Sequence, residues 1–201
     1  MIGTETHSKS AGSFQDRPAR PARPTRAELW AAAGRTIADV SAPGLDVLFA
    51  GINPGLYSAA TGQHFARPGN RFWPALHRSG FTPALLRPDE QEQLLGLGLG
   101  ITNVAARATA RADQLSAGEL TAGGRLLAAK VASLRPTWLA VVGVTAYRTG
   151  FGDPRAAVGP QGVTIGETAV WVLPNPSGLN ARWTTPRLVE AFAELRMTAM
   201  G

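Results

Sequence analysis

Two short segments constrain this chain more than anything else in it. Val47-Leu48-Phe49-Ala50 runs into Gly51-Ile52-Asn53-Pro54-Gly55, and Val170-Trp171-Val172-Leu173-Pro174 runs into Asn175-Pro176-Ser177-Gly178-Leu179. Each apolar run reads as a buried strand, and each ends in a rigid Gly/Pro loop that carries an asparagine. In an open α/β sheet, ligand sites form where loops leave the C-terminal ends of strands. Two such loops can face each other across one cleft.

The rest of the chain supplies the helices such a sheet needs. Thr25-x-x-Glu28 reads as a capping box opening a helix through about Val40, which Pro43-Gly44 breaks. A strand over 46–50 is followed by a long Gly/Pro-punctuated loop from Gly51 to Gly69. Helices are expected over 70–79 and 83–95, with a short strand from Gly98 to Thr102. Ser116-x-x-Glu119 opens another helix to about Leu134. A strand from Trp138 to Val142 leads into a short helix over 143–149. Residues 163–165 and 169–173 form either a hairpin or one bulged strand, and Pro186 suits the first turn of a closing helix to about Met197. Strands alternate with helices, so the fold class is α/β with a mostly parallel sheet covered on both faces.

The bulk properties narrow the function. At 201 residues the chain suits one domain, expected over 25–201, behind a tail. The tail, 1–24, contains the repeat Pro18-Ala-Arg-Pro-Ala-Arg-Pro24, has no apolar face to bury and is expected to be disordered. It either holds DNA phosphates loosely or is inert. No apolar run reaches membrane-spanning length, and no secretory signal pattern opens the chain, so a cytoplasmic location is the default. Cysteine is absent, which removes disulfides, thiol catalysis and cysteine-ligated metal. His7, His64 and His77 form no short-spaced ligand pair, so neither metal nor cofactor is expected. The net charge is +6, almost all of it arginine, with Lys9 and Lys130 the only lysines. That balance favours a polyanionic partner, although an arginine bias also arises from genome composition.

Asn53 sits between residues that restrict the backbone. Pro54 locks its own φ and steers Asn53 away from helix, while Gly51 and Gly55 let backbone approach a ligand. Such a loop can aim amide N–H groups and one carboxamide at a small planar group, or it can be a plain strand-to-helix turn. It is not a phosphate loop, because the Gly-x-x-x-x-Gly-Lys-Ser/Thr spacing is missing. Downstream, aromatic, arginine and small polar residues interleave from Leu56 to Trp73, a mixture suited to base stacking and phosphate contact. Phe72 and Trp73 read as core residues at a helix start, leaving Phe65 as the stacking candidate.

Taken together, Gly51-Ile-Asn-Pro-Gly-Leu56, Phe65-Ala-Arg-Pro-Gly-Asn-Arg-Phe-Trp73 and Leu173-Pro-Asn-Pro-Ser-Gly-Leu179 resemble the mismatch-specific uracil/thymine-DNA glycosylase family, over roughly residues 45–197. The resemblance implies a three-layer α/β/α sandwich, the uracil-DNA glycosylase fold. It also implies hydrolysis of the N-glycosidic bond of a flipped base, with uracil opposite guanine in double-stranded DNA as the preferred substrate. Base flipping is required because the bond is inaccessible inside a stacked duplex. Asn53 matches the catalytic asparagine that positions water, and Phe65 the aromatic that stacks on the pyrimidine. Backbone groups of Ile52 and Phe65 read the base edge, Ser58 lies at the sugar–phosphate side, and Asn175 lines the pocket. Gly178 and Leu179 match the wedge loop. Arg67, Asn70, Arg71 and Ser177 are expected to face phosphate, and a monomer is expected.

The chain departs from that pattern in two places. Arg182 follows the wedge leucine one residue later than in bacterial relatives, and Asn103 stands where some relatives carry a charge. The latter bears on the balance between uracil and bulkier bases. Asp89 and Asp113 are expected to be solvated surface carboxylates. A lyase step needs an amine, and neither Lys9 in the tail nor Lys130 on its helix is near the motif loops, so a monofunctional enzyme is expected. A damage sensor that flips a base without hydrolysing it is the alternative, but such a binder has no need of a water-orienting amide. A hydrolase of free nucleosides would need neither a wedge nor a basic balance.

Overall fold

A computed structural model describes residues 19–201, so the expectations for residues 1–18 of the tail lie outside the described residues. Five strands, β1 (Val47–Gly51), β2 (Leu99–Asn103), β3 (Trp138–Val142), β4 (Gly159–Ile165) and β5 (Thr168–Leu173), form one sheet in the order β2-β1-β3-β5-β4. The first four in that order run parallel, and β4 pairs antiparallel with β5 at the edge.

The reason for a parallel sheet is visible in β1, whose residues are all buried. Successive side chains on a strand point to opposite faces. Val47 and Phe49 accordingly enter one core with Phe72, Leu76, Leu188 and Phe192, while Leu48 and Ala50 enter another with Leu127, Val131 and Tyr147. The first core lies under α3 (Phe72–Arg78) and α6 (Thr185–Met200), the second under α4 (Ala117–Leu134) and α5 (Val144–Phe151). Phe49 touches Phe72 and Phe81 edge-on at centroid distances of 5.5 and 5.4 Å. Burying such a side chain contributes about 1.5–3 kcal/mol. Helices on both faces of a mostly parallel sheet make this the expected three-layer α/β architecture.

Several boundaries differ from the sequence expectation, each for a local reason. α1 (Arg26–Ala31) keeps its Thr25/Glu28 capping box but does not continue to Val40. Gly34, at φ +77°, turns the chain, and Val40 instead forms an antiparallel bridge with Ile101. The helix expected over 83–95 is a 3-10 helix over Pro88–Leu97, because Pro88 holds Arg87 extended at ψ 158°. The loop after β1 contains a short helix, α2 (Leu56–Thr61), which its glycines flank rather than break: Gly55 caps its start and Gly62, at φ +71°, its end. The alternatives left open over 163–173 resolve as the β4–β5 hairpin with a register shift between Gln161 and Thr164. Among the described residues, no helix is long and apolar enough to cross a membrane.

Candidate active site

The C-terminal ends of β1, β2 and β5 open on one cavity of about 360 Å³. Its lining includes Ile52, Asn53, Ser58, Phe65, Arg67, Asn70, Asn175, Ser177 and Leu179, so the two motif loops do meet. Gly178 packs at the seam: a Cβ there would come within 2.7 Å of the Gly69 carbonyl oxygen.

Asn53 is fixed by its amide nitrogen. Nδ2 donates to Thr109 Oγ1 at 2.8 Å, to the Arg107 carbonyl at 2.9 Å and to the Pro54 carbonyl at 3.2 Å. The Thr109 hydroxyl spends its own hydrogen on the Arg111 carbonyl at 2.8 Å, so toward Asn53 it can only accept. Three acceptors on one side leave a single sensible orientation of the carboxamide, with Oδ1 on the other. The segment carrying these acceptors is latched in turn. The Arg107 guanidinium binds Glu119, and with the Ser116 cap it holds the Glu119 carboxyl down at about 2.

Phe65 adopts a left-handed φ of +53°, a conformation that costs a non-glycine residue on the order of 1–3 kcal/mol and recurs at functional sites. Its neighbours hold it there. The His64 N–H donates to Gln91 Oε1 at 2.8 Å, the Ala66 N–H donates to Ser58 Oγ at 3.2 Å, and Trp73 Nε1 donates to the His64 carbonyl at 3.1 Å. The ring stacks on Phe72 with centroids 4.0 Å apart and planes 14° from parallel. One face of Phe65 is therefore covered, and the other is available to a planar ligand. Phe72 and Trp73 are buried, as core residues should be. Ser58 is also buried, and its hydroxyl supports the Phe65 loop from within the cavity wall.

The second loop is shaped by its own polar groups. Asn175 Oδ1 accepts from the Ser177 N–H at 2.9 Å, and Asn180 Nδ2 donates to the Asn175 carbonyl at 3.0 Å. Arg71 requires a correction. Rather than facing phosphate, its guanidinium donates to the carbonyls of Pro176, Ser177, Asn180 and Trp183, four acceptors presented by the turning loop. Asn70 serves partly as a cap, its Oδ1 accepting from the Phe72 N–H at 2.9 Å. Leu179 stands out at 76% exposure. The side chains of Arg67 and Arg182 are exposed and make no hydrogen bond or ion pair to other described residues, but only Arg67 lines the cavity.

Asp113 lies at the cavity rim, exposed and paired with Arg111, whereas Asp89 is half-buried against Arg87 at 3.0 Å. Lys130 is ion-paired with Asp39 and donates to Thr102 Oγ1 at 2.9 Å. Among the described residues, no three His, Asp or Glu side chains converge to hold a metal ion. Sequence reasoning missed Thr109, which lies 56 positions from the amide it orients. It weighed His64 only as a metal ligand and Asn103 only as a departure from a family pattern, yet both line the cavity.

The site thus combines a flat aromatic face, an oriented carboxamide and an exposed apolar tip at one end of a parallel sheet. The sequence profile of the uracil DNA glycosylase superfamily matches residues 38–196, and the chain belongs to that superfamily. Membership supports a DNA glycosylase activity. The fold is similar to the solution NMR structure of a protein from Methanosarcina acetivorans described as a "putative Uracil DNA glycosylase". The TM-score is 0.54 at 19% identity, covering 82% of this chain and 97% of the other.

Proposed function

We propose that this protein is a monofunctional, mismatch-specific DNA glycosylase that removes uracil paired with guanine from duplex DNA. The flipped pyrimidine stacks on the free face of Phe65, with backbone groups of Ile52 and Phe65 meeting its edge. Asn53 Oδ1 accepts a hydrogen from the attacking water. A neutral carboxamide orients water but has no useful basicity, so the barrier falls chiefly by letting the base leave as an anion stabilised by backbone N–H groups in a dry pocket. Leu179 enters the duplex and occupies the vacated stack, offsetting part of the few kcal/mol that unstacking costs. Arg67, Arg182, Asn70 and Ser177 contact phosphate. Base flipping by a single chain requires no second subunit.

The observation that carries this reading is the three-acceptor lock on Asn53 Nδ2, which leaves one oxygen free beside an aromatic face. Engagement of Lys130 by Asp39 supports hydrolysis without a lyase step. The test is a single-turnover assay on a duplex with one central uracil opposite guanine, with alkali to reveal abasic sites and uracil opposite adenine in parallel. Abasic sites formed fastest at the guanine mismatch, and lost in Asn53→Ala, are expected. Tight mismatch binding without abasic sites would replace the enzyme by a base-flipping damage sensor.

A further inference from the structure

Arg67 and Arg111 both line the cavity with exposed side chains, and they differ in what holds them. The Arg111 guanidinium donates through Nε to Asp113 Oδ1 at 3.1 Å and through Nη2 to Asp113 Oδ2, and among the described residues it bonds to nothing else. The two side chains remain 74% and 58% exposed. Their pairing does little for the fold. It joins residues two positions apart, and an exposed pair is screened by solvent and contributes little to stability. Arg107 shows the contrast: its guanidinium reaches across twelve positions to Glu119 and also donates to the Gln114 carbonyl at 3.0 Å. Nor does the turn at Arg111 need the pair. The Arg111 N–H donates to Gln114 Oε1 at 3.1 Å, and the Arg111 carbonyl accepts from the Gln114 N–H at 3.2 Å and from Thr109 Oγ1 at 2.8 Å. What the pair does is occupy a planar fork of donors, at the mouth of the cavity, that fits the oxygens of a phosphate as well as those of a carboxylate.

We infer that Arg111 is a phosphate-binding residue of the DNA interface, and that Asp113 is a built-in competitor occupying its guanidinium until a phosphate beside the flipped nucleotide displaces it. This rests on the proposed function. A nucleotide that swings its base into the cavity leaves its two flanking phosphates at the mouth, where Arg67 and Arg111 stand. The exchange is like for like, one charge-assisted contact for another, and no proton moves. A free arginine there would attract any duplex through its phosphates; Asp113 cancels that charge and lowers sequence-independent binding. Arg111 also reaches the reaction through its backbone. Its carbonyl holds the Thr109 hydroxyl that accepts from Asn53 Nδ2, so a phosphate on its side chain ties down the segment that orients the water's acceptor.

The experiment pairs protein variants with neutralised phosphates. Duplexes carry one central uracil opposite guanine, with a 2′-fluorine on the uracil sugar to block hydrolysis. A neutral methylphosphonate replaces the phosphate on the 5′ or the 3′ side of that nucleotide. Affinities are measured for wild type, Arg111→Ala, Asp113→Asn and the double variant, with uracil release followed separately on hydrolysable duplex. One of the two methylphosphonates should weaken wild-type binding by about tenfold, and should cost Arg111→Ala less than about twofold. Asp113→Asn should tighten binding to the all-phosphate duplex and steepen its salt dependence by about one unit of slope, a gain absent from the double variant. Thermal midpoints should barely differ among the four proteins. Equal methylphosphonate penalties in wild type and Arg111→Ala overturn the phosphate contact. An equal Asp113→Asn gain with and without Arg111 reduces Asp113 to general repulsion and overturns the exchange, as does loss of uracil release in Asp113→Asn at saturating protein, which would make the carboxylate part of the reaction. A wild type that shows the expected binding pattern but leaves no abasic sites overturns the proposed hydrolysis and leaves the exchange standing. Absence of duplex binding overturns both.

Discussion

Thr109 Oγ1 accepts a hydrogen from Asn53 Nδ2 at 2.8 Å while donating its own to the Arg111 carbonyl at 2.8 Å. The hydroxyl thereby acts as a one-way acceptor that settles which end of the Asn53 amide faces the cavity. Asn53→Ala removes the water's acceptor and should lower the single-turnover rate by about a hundredfold to a thousandfold. Thr109→Val removes one of three restraints and leaves the Arg107 carbonyl, so a smaller loss of about tenfold is expected, without a change in duplex affinity. Equal rates in wild type and Thr109→Val would show that the lock is redundant.

Gly51 ends β1 beneath the cavity, and a methyl group there has no room. It would meet Asn103 Oδ1 at 2.7 Å and Phe65 Cζ at 3.1 Å. Gly51→Ala should therefore displace both the Phe65 ring and the Asn103 amide from the cavity wall. Because small misplacements cost catalysis heavily, uracil excision should fall by about a hundredfold. The expected thermal midpoint stays within a few degrees of wild type, since cavity side chains can shift into open space. Retained activity in this variant would mean that Phe65 and Asn103 do not need their present positions.

Much of this arrangement was legible in the sequence because it is local. Apolar runs ending in Gly/Pro turns located β1 and β5, and the Ser116/Glu119 box located the start of α4. The loops carrying Asn53 and Phe65 were legible for the same reason. What was hidden depended on distant contacts. Arg71 reads as a phosphate contact because a lone arginine beside a glycine-rich loop has no visible partner, yet its carbonyl partners lie more than a hundred positions away. α2 was hidden by glycines that cap it rather than interrupt it.

His64 gives stability its own pH dependence. Its folded-state pKa lies below the usual 6.5, so protons bind the unfolded chain first as pH falls. The contribution of the buried neutral ring is complete above 6.5 and is lost as pH drops through 6.5 toward the depressed value. Urea midpoints measured at pH 7.5 and 5.0 should fall further in wild type than in His64→Gln. Parallel declines in the two proteins would assign the acid sensitivity to other groups.

Arg71 and Arg67 separate loop support from phosphate contact. Arg71 is half-buried, and its guanidinium is consumed by carbonyls of the second motif loop. Charge-assisted hydrogen bonds contribute about 1.5–3 kcal/mol each, less when solvent can replace them. Arg71→Ala should lower the thermal midpoint by several degrees, and Arg71→Lys should rescue little of it, because an ammonium cannot reproduce the planar fork. The Arg67 side chain is exposed with no hydrogen-bond or ion-pair partner among the described residues, so Arg67→Ala should leave the midpoint unchanged and instead reduce the salt dependence of duplex binding by about one unit of slope. Binding isotherms at several salt concentrations distinguish the two. A loss of salt slope in Arg71→Ala, with no change in thermal midpoint, would return Arg71 to the phosphate-facing role.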